Sequence, residues 1–179
     1  MSIKKYTVNR KQKNRGRFSF AVFLIVQLML TIEFSLPHPV FAQAKSVEFA
    51  DEFSQLRQTL EDYGFIVTLA LPPQPGSYGL LQVSTRTIWI NPVVFDLEIS
   101  IPTLVHEAVH AAQLCNGEGS NGSGSSLMPL NLGLTPYARA YRLYMRYTGL
   151  RRTLEMEAYT IQARDDRVEY VINLLNSRC

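Results

Sequence analysis

The sequence predicts an α+β domain: a short antiparallel sheet of about three strands set among helices, one of which carries the chemistry and a long one of which closes the chain. Three observations carry that prediction. An apolar stripe at helical spacing opens the domain, three short runs rich in β-branched and aromatic residues follow, and further helical patterns fill the second half. No internal repeat interrupts this order.

The domain is preceded by a leader. MSIKKYTVNRKQKNRGR holds seven Lys and Arg and no acid, the apolar run Phe18 to Leu30 follows, and Ala42-Gln43-Ala44 ends the stretch in a small-x-small pattern. Basic, then apolar, then small is the order of a secretory signal peptide, with cleavage expected after Ala42 or Ala44. The apolar run is short beside the roughly 20 residues of a membrane span. Contact with a membrane is therefore expected only through this segment if it stays uncleaved. The protein is expected to be secreted, periplasmic or extracellular, with residues 45–179 as its one domain.

Removing residues 1–44 takes seven of eighteen basic residues and one of fifteen acids, so 11 − 14 leaves a net charge of −3. The basic pI of the whole chain belongs to the leader, and nucleic acid is not an expected partner.

From Val47 to Tyr63, apolar residues at 49, 53, 56 and 60 form one face of an opening helix, and Gly64 supplies a stop. FIVTLAL (65–71), YGLLQVS (78–84) and TIWINP (87–92) read as strands, separated by the breaker PPQPG and by a polar turn at Ser84 to Arg86 that pairs the last two as a hairpin. A helix should start near Ser100, with Pro102 in its first turn, and run to about Leu114. The Gly, Ser and Asn of 116–126 then mark a surface loop. Thr135-Pro136 opens a helix over YARAYRLYMRY, Gly149 interrupts it, and a long last helix spans about Arg151 to Asn176.

The chemistry is concentrated in LVHEAVHAAQ, Leu104 to Gln113. Residues four apart on a helix share a face, so His106 and His110 can offer two imidazole nitrogens to one metal ion. Glu107 can then reach a water on that ion, take its proton and deliver it to a leaving amine. This is the content of an HExxH motif, and zinc best suits the ligand set. Of three histidines only His38 lies elsewhere, and it leaves with the leader. A third ligand must then be a carboxylate or a thiolate. Cys115 lies too close in the chain to His110, which leaves Glu155 and Glu157 in RRTLEMEAYTIQ.

HEAVHAAQ followed at a distance by EMEAY resembles the zincin metallopeptidases of gluzincin type, and small bacterial zincin-like domains with HExxHxxQ and ExEA. The resemblance covers about Ile88 to Gln162. It implies a zincin-like fold, an HExxH active-site helix and a third ligand on the later helix. It favours Glu155, which opens the Glu155-x-x-Ala158 pattern; the apolar stripe Leu154, Ala158 and Ile161 lies closer to Glu157. Residues two apart on a helix point roughly 160° from each other, so only one of the pair faces the metal and the other is expected in solvent or beside an arginine.

The function implied is that of an exported zinc-dependent hydrolase, a metalloprotease acting on a peptide or protein substrate. The alternative is a binding or scaffold protein that keeps the fold without turnover. Tyr159 and Gln162, which share a face with Glu155, are candidates to support the ligands or an oxyanion, as is Gln113, one turn beyond His110. The resemblance also implies that an edge strand before the motif helix holds extended substrate, which would be Thr87, Ile88, Trp89, Ile90 and Asn91. Cys115 and Cys179 are a candidate disulfide in an oxidising compartment.

Overall fold

A computed structural model of the chain describes residues 40–121 and 126–179. The basic and apolar stretches expected to form a leader lie outside the described residues. Six helices and a three-stranded sheet among the described residues make an α+β fold. Among the described residues, no helix is long and apolar enough to cross a membrane.

Helix α1 (Val40–Asp62) begins before the expected Val47 and buries Phe53, Leu56 and Leu60 along one stripe. Its end is set by Gly64, which sits at φ +79°. Gly64 N–H donates to the Glu61 carbonyl and Phe65 N–H to that of Leu60, a pairing that satisfies the last carbonyls and folds buried Phe65 back on the helix.

Strands β1 (Ile66–Leu69), β2 (Gly79–Gln82) and β3 (Thr87–Ile90) are arranged β1-β3-β2. β2 and β3 form the expected antiparallel hairpin, closed by a 3-10 turn at Val83–Thr85 and by Arg86 at φ 50°. The expectation of a wholly antiparallel sheet is corrected at the other pair. β1 and β3 run parallel, Ile66 opposite Thr87 and Leu69 opposite Ile90. The Pro-rich linker is long enough to carry the chain past the place of β3, so β2 forms at the far edge and the hairpin returns β3 to the centre.

After the short α2 (Val93–Asp96), α3 (Ser100–Asn121) runs through the core, packed against the sheet and the two C-terminal helices. Leu104, Val105, Ala108, Val109, Ala111, Ala112 and Leu114 are fully buried, so the helix is enclosed almost all round. It continues beyond the expected end at Leu114 into the Gly-rich stretch, because tertiary contacts override weak propensity there. Asn116 donates to the Pro129 carbonyl, Glu118 accepts from Arg86, and a Cβ at Gly117 would collide with the Ser126 carbonyl. Cys115 is bonded to Cys179, tying the chain's C-terminus to this helix.

The expected single last helix is two. After α4 (Tyr141–Tyr144), α5 (Gly149–Gln162) stops at Ala163, and α6 (Arg167–Arg178) begins after Asp166. Arg164 donates to both oxygens of Asp166 at 2.7 and 2.8 Å. Residues two apart do not face each other on a helix, so this fork forms only in a turn.

Candidate metal centre and its cleft

Helix α3 presents His106, Glu107 and His110, and α5 brings Glu155 across to them. The Nε2 atoms of the two histidines are 3.2 Å apart, and Glu155 Oε2 lies 3.4 Å from His106 Nε2 and 3.9 Å from His110 Nε2. Among the described residues this trio is the one group of His, Cys, Asp or Glu that could hold a metal ion.

The spacing fits a small tetrahedral cation. Bonds of about 2.0–2.1 Å from zinc to nitrogen or oxygen put two ligands of a tetrahedron about 3.4 Å apart, close to the edges of this triangle. The rings are also oriented for it. His106 Nδ1–H donates to Gln162 Oε1 at 2.9 Å and His110 Nδ1–H to Gln113 Oε1 at 2.7 Å. An amide oxygen can only accept, so each ring carries a proton on Nδ1, and a neutral ring then turns its Nε2 lone pair inward.

Burial and neighbours set the ionisation of the group. Burial, followed by the charge of His106, lowers the His110 pKa to about 4. Burial alone would raise that of Glu155, but protonated His106, which donates to it from Nε2, and the charges of His110 and Arg151 outweigh burial and hold it low. Burial pushes Glu107 up to about 7, against the opposing pull of His106 and of the Leu81 N–H. A proton acceptor tuned near neutrality is what general base chemistry requires. Tyr159 sets its ring edge-on to His106, centroids 4.7 Å apart, and burial followed by the Glu155 charge raises its phenol to about 12, so it stays a donor.

The two glutamates left open by the sequence have separate roles. Glu157 is turned away from the trio and is neither solvated nor paired with an arginine, contrary to expectation for the residue off the metal. It is buried, and its oxygens accept from Leu130 N–H, Asn131 N–H and Gln113 Nε2, each at 2.9 Å. Gln113 is fully buried and joins His110 on one side to Glu157 and the Leu154 carbonyl on the other. The apolar stripe that drew attention to Glu157 marks its burial, not ligation.

The centre opens into a cleft of about 1110 Å³, lined on one side by Tyr78, Gly79, Leu80 and Leu81 and also by Arg146, Tyr147, Leu150 and Arg151. The strand expected to hold substrate is corrected here. Thr87 to Ile90 is the central strand, with both flanks paired to β1 and β2, so it has no free edge; Thr87, Ile88 and Ile90 are buried. Trp89 instead donates from its ring nitrogen to Gln82, and Asn91 caps the turn into α2 by accepting from Val93 N–H.

The free edge beside the cleft is β2. Asn91 N–H donates to the Tyr78 carbonyl, and alternation along the pair then turns the N–H and C=O of Gly79 and Leu81 away from β3. The outward Leu81 N–H is the one that reaches Glu107. Gly79 packs so closely that a Cβ there would lie 2.7 Å from Glu107 Oε1. The sequence offered one sign of this in the absence of a side chain at a strand position next to the motif helix. Comparison with family models, curated proteins and solved structures finds no match for this chain.

Proposed function

We propose that this protein is an exported zinc-dependent hydrolase, a metallopeptidase with a gluzincin-like centre. The observation that carries the reading is the convergence of His106, His110 and Glu155 beside Glu107 at the floor of one cleft. His106, His110 and Glu155 would hold the ion, and two imidazoles with one carboxylate is a donor set that suits zinc. Bound there, zinc would supply a water of lowered pKa and polarise a substrate carbonyl.

The chain's own groups do the rest. Glu107 takes the proton of the attacking water and passes it to the leaving amine, its carboxylate aimed by the Leu81 N–H. The out-turned backbone groups of Gly79 and the carbonyl of Leu81 receive an extended peptide along β2. The Tyr159 phenol donates toward developing negative charge on the carbonyl oxygen.

Metal analysis of the purified protein together with a Glu107→Gln variant tests the reading. One zinc per chain in both proteins, with peptide hydrolysis at least ~1,000-fold slower in the variant, is the expected result. Absence of stoichiometric zinc, or a variant as active as the parent, would overturn it. Zinc held by both with no turnover by either would make the protein a binding module built on the same fold.

A further inference from the structure

Between Glu118 and Glu155 the chain holds five arginines and no acidic residue. Two of them, Arg146 and Arg151, line the cleft. Arg151 is held in place rather than loose in solvent. Its guanidinium lies 4.7 Å from the centre of the Tyr147 ring, and its Nε is 3.9 Å from Glu155 Oε1. Its side chain is nevertheless 67% exposed, so it joins the metal-ligating trio to open cleft.

That is an unfavourable place for a cation whose carboxylate neighbour, Glu155, also faces the two histidines. Arg151 and Arg152 occupy the first turn of α5, where unsatisfied N–H groups carry the positive end of the helix dipole. The turn contains no acid, and Thr148 at its N-cap makes no side-chain capping bond. Arg152 turns its Nε to the Tyr147 carbonyl, but Arg146 and Arg151 face the cleft. The acids lining the cleft are Glu107 and Glu155. With Glu155 committed to a metal and Glu107 to proton transfer, a dication, two guanidiniums and a helix N-terminus converge without a matching negative charge.

The geometry points to a substrate that supplies it: a peptide with a carboxylate next to the bond that is cut, received by Arg151 with Arg146 in support. A guanidinium fork matches a carboxylate in shape as well as charge, and here it stands beside the centre where the scissile carbonyl would lie. This inference rests on the metallopeptidase reading. The carboxylate can belong to an Asp or Glu side chain or to a chain terminus, and the chemistry of recognition is the same.

The experiment gives the zinc-loaded protein a degenerate peptide mixture, and cut sites are read by mass spectrometry. Cuts should cluster beside Asp, Glu or a free C-terminus. Matched peptides then separate the sources, Glu against Gln for a side chain and free acid against amide for a terminus. The acid form should be favoured about 10- to 100-fold in kcat/KM, the worth of one hydrogen bond to a charged group. Arg151→Gln should remove most of that ratio and Arg151→Lys restore part of it. Equal cleavage of acid and neutral peptides would overturn the proposal while leaving the hydrolase intact.

A second readout does not depend on turnover. Backbone amide shifts of the Glu107→Gln protein are followed while acetyl-Ala-Glu or acetyl-Ala-Gln is added. Selective shifts near Arg146 and Arg151 with the acid, when the zinc-loaded parent cleaves nothing, would keep the anion site and remove the peptidase reading; no selectivity would remove the anion site. Vesicles of phosphatidylglycerol in phosphatidylcholine supply the last arm. If Arg151→Gln abolishes vesicle binding and leaves peptide preference unmoved, the arginines serve a lipid surface and the proposal fails.

Discussion

Gln113 Nε2 donates to Glu157 Oε2 at 2.9 Å, while Gln113 Oε1 accepts from His110 Nδ1 at 2.7 Å. One buried amide thereby links a histidine of the candidate metal trio to a carboxylate that faces away from that trio.

The link separates the consequences of losing each glutamate. Glu157→Ala strands three donors in the interior, the N–H groups of Leu130 and Asn131 and the Gln113 amide. Buried donors left unmet cost about 1–3 kcal/mol each, so the variant should lose roughly 3 kcal/mol or more in denaturant unfolding. Zinc stoichiometry should survive at saturating metal. Glu155→Ala should do the reverse, losing zinc affinity by more than the roughly 10- to 100-fold of a supporting residue while unfolding, both proteins freed of metal by chelator, near the parent's midpoint. Zinc retention at parental affinity in Glu155→Ala would remove Glu155 from the ligand set.

How much of this was legible in the sequence follows from what each residue touches. His106, Glu107 and His110 are fixed by the period of one helix, so their spacing alone places them together. The choice between Glu155 and Glu157 depends on how α5 rolls against α3, and the apolar stripe marks the buried side without telling a ligand from an anchor. The three strands were legible from β-branched runs, but their order depends on where the 70–78 linker crosses, which composition does not encode. The same limit misled the choice of substrate strand: Thr87 to Asn91 reads as a good strand because it is the buried central one. The break at 163–166 carries an ion pair between Arg164 and Asp166, a contact that helical periodicity cannot reveal.

Gln162 tests the orientation of His106. Its Oε1 accepts from His106 Nδ1 at 2.9 Å, a contact made at the end of α5. Gln162→Leu keeps the side chain's bulk and removes the acceptor. Zinc affinity should fall about 10- to 100-fold, as for other residues that hold a ligating ring, with the unfolding free energy of the metal-free protein lowered by no more than about 1–2 kcal/mol for the one donor left unmet. A competition assay against a chromophoric chelator measures the first and urea unfolding the second. Unchanged affinity would show that His106 needs no such support.

Gly79 tests how closely the edge strand and the base must fit. A Cβ at this position would fall 2.7 Å from Glu107 Oε1, 2.8 Å from its Cγ and 3.0 Å from Thr103 Cγ2. Glu107 is buried against Gly79, so the added methyl must displace the base or the strand. Either shift, on the order of 1 Å, should cost about 100-fold in kcat, with one zinc still bound per chain. Zinc stoichiometry distinguishes this from collapse of the centre. Parental kcat in Gly79→Ala would mean that the Glu107 carboxylate tolerates displacement and that β2 does not position it.

The disulfide connects the same helix to the end of the chain. Cys115 stands five residues beyond His110, and its bond to Cys179 spans a sequence separation of 64 with the Cα atoms 5.0 Å apart. Closing a loop of that length restricts the unfolded chain by about 4 kcal/mol in the chain-entropy treatment. The fold around it is otherwise well provided with a core: α3 and α6 pack along their length, burying Leu114, Val171, Leu174 and Leu175. The bond should therefore add stability without being needed for the histidines to meet. Cys179→Ser should lower the unfolding free energy by up to about 4 kcal/mol and shift the urea midpoint accordingly, and reductant should do the same to the parent but not to the variant. Zinc affinity should stay within about 3-fold, because the α3 backbone at His106 and His110 is fixed by packing on the sheet and on α5. A large loss of zinc on reduction, with the fold intact by circular dichroism, would show instead that the bridge sets the position of the metal-ligating turn.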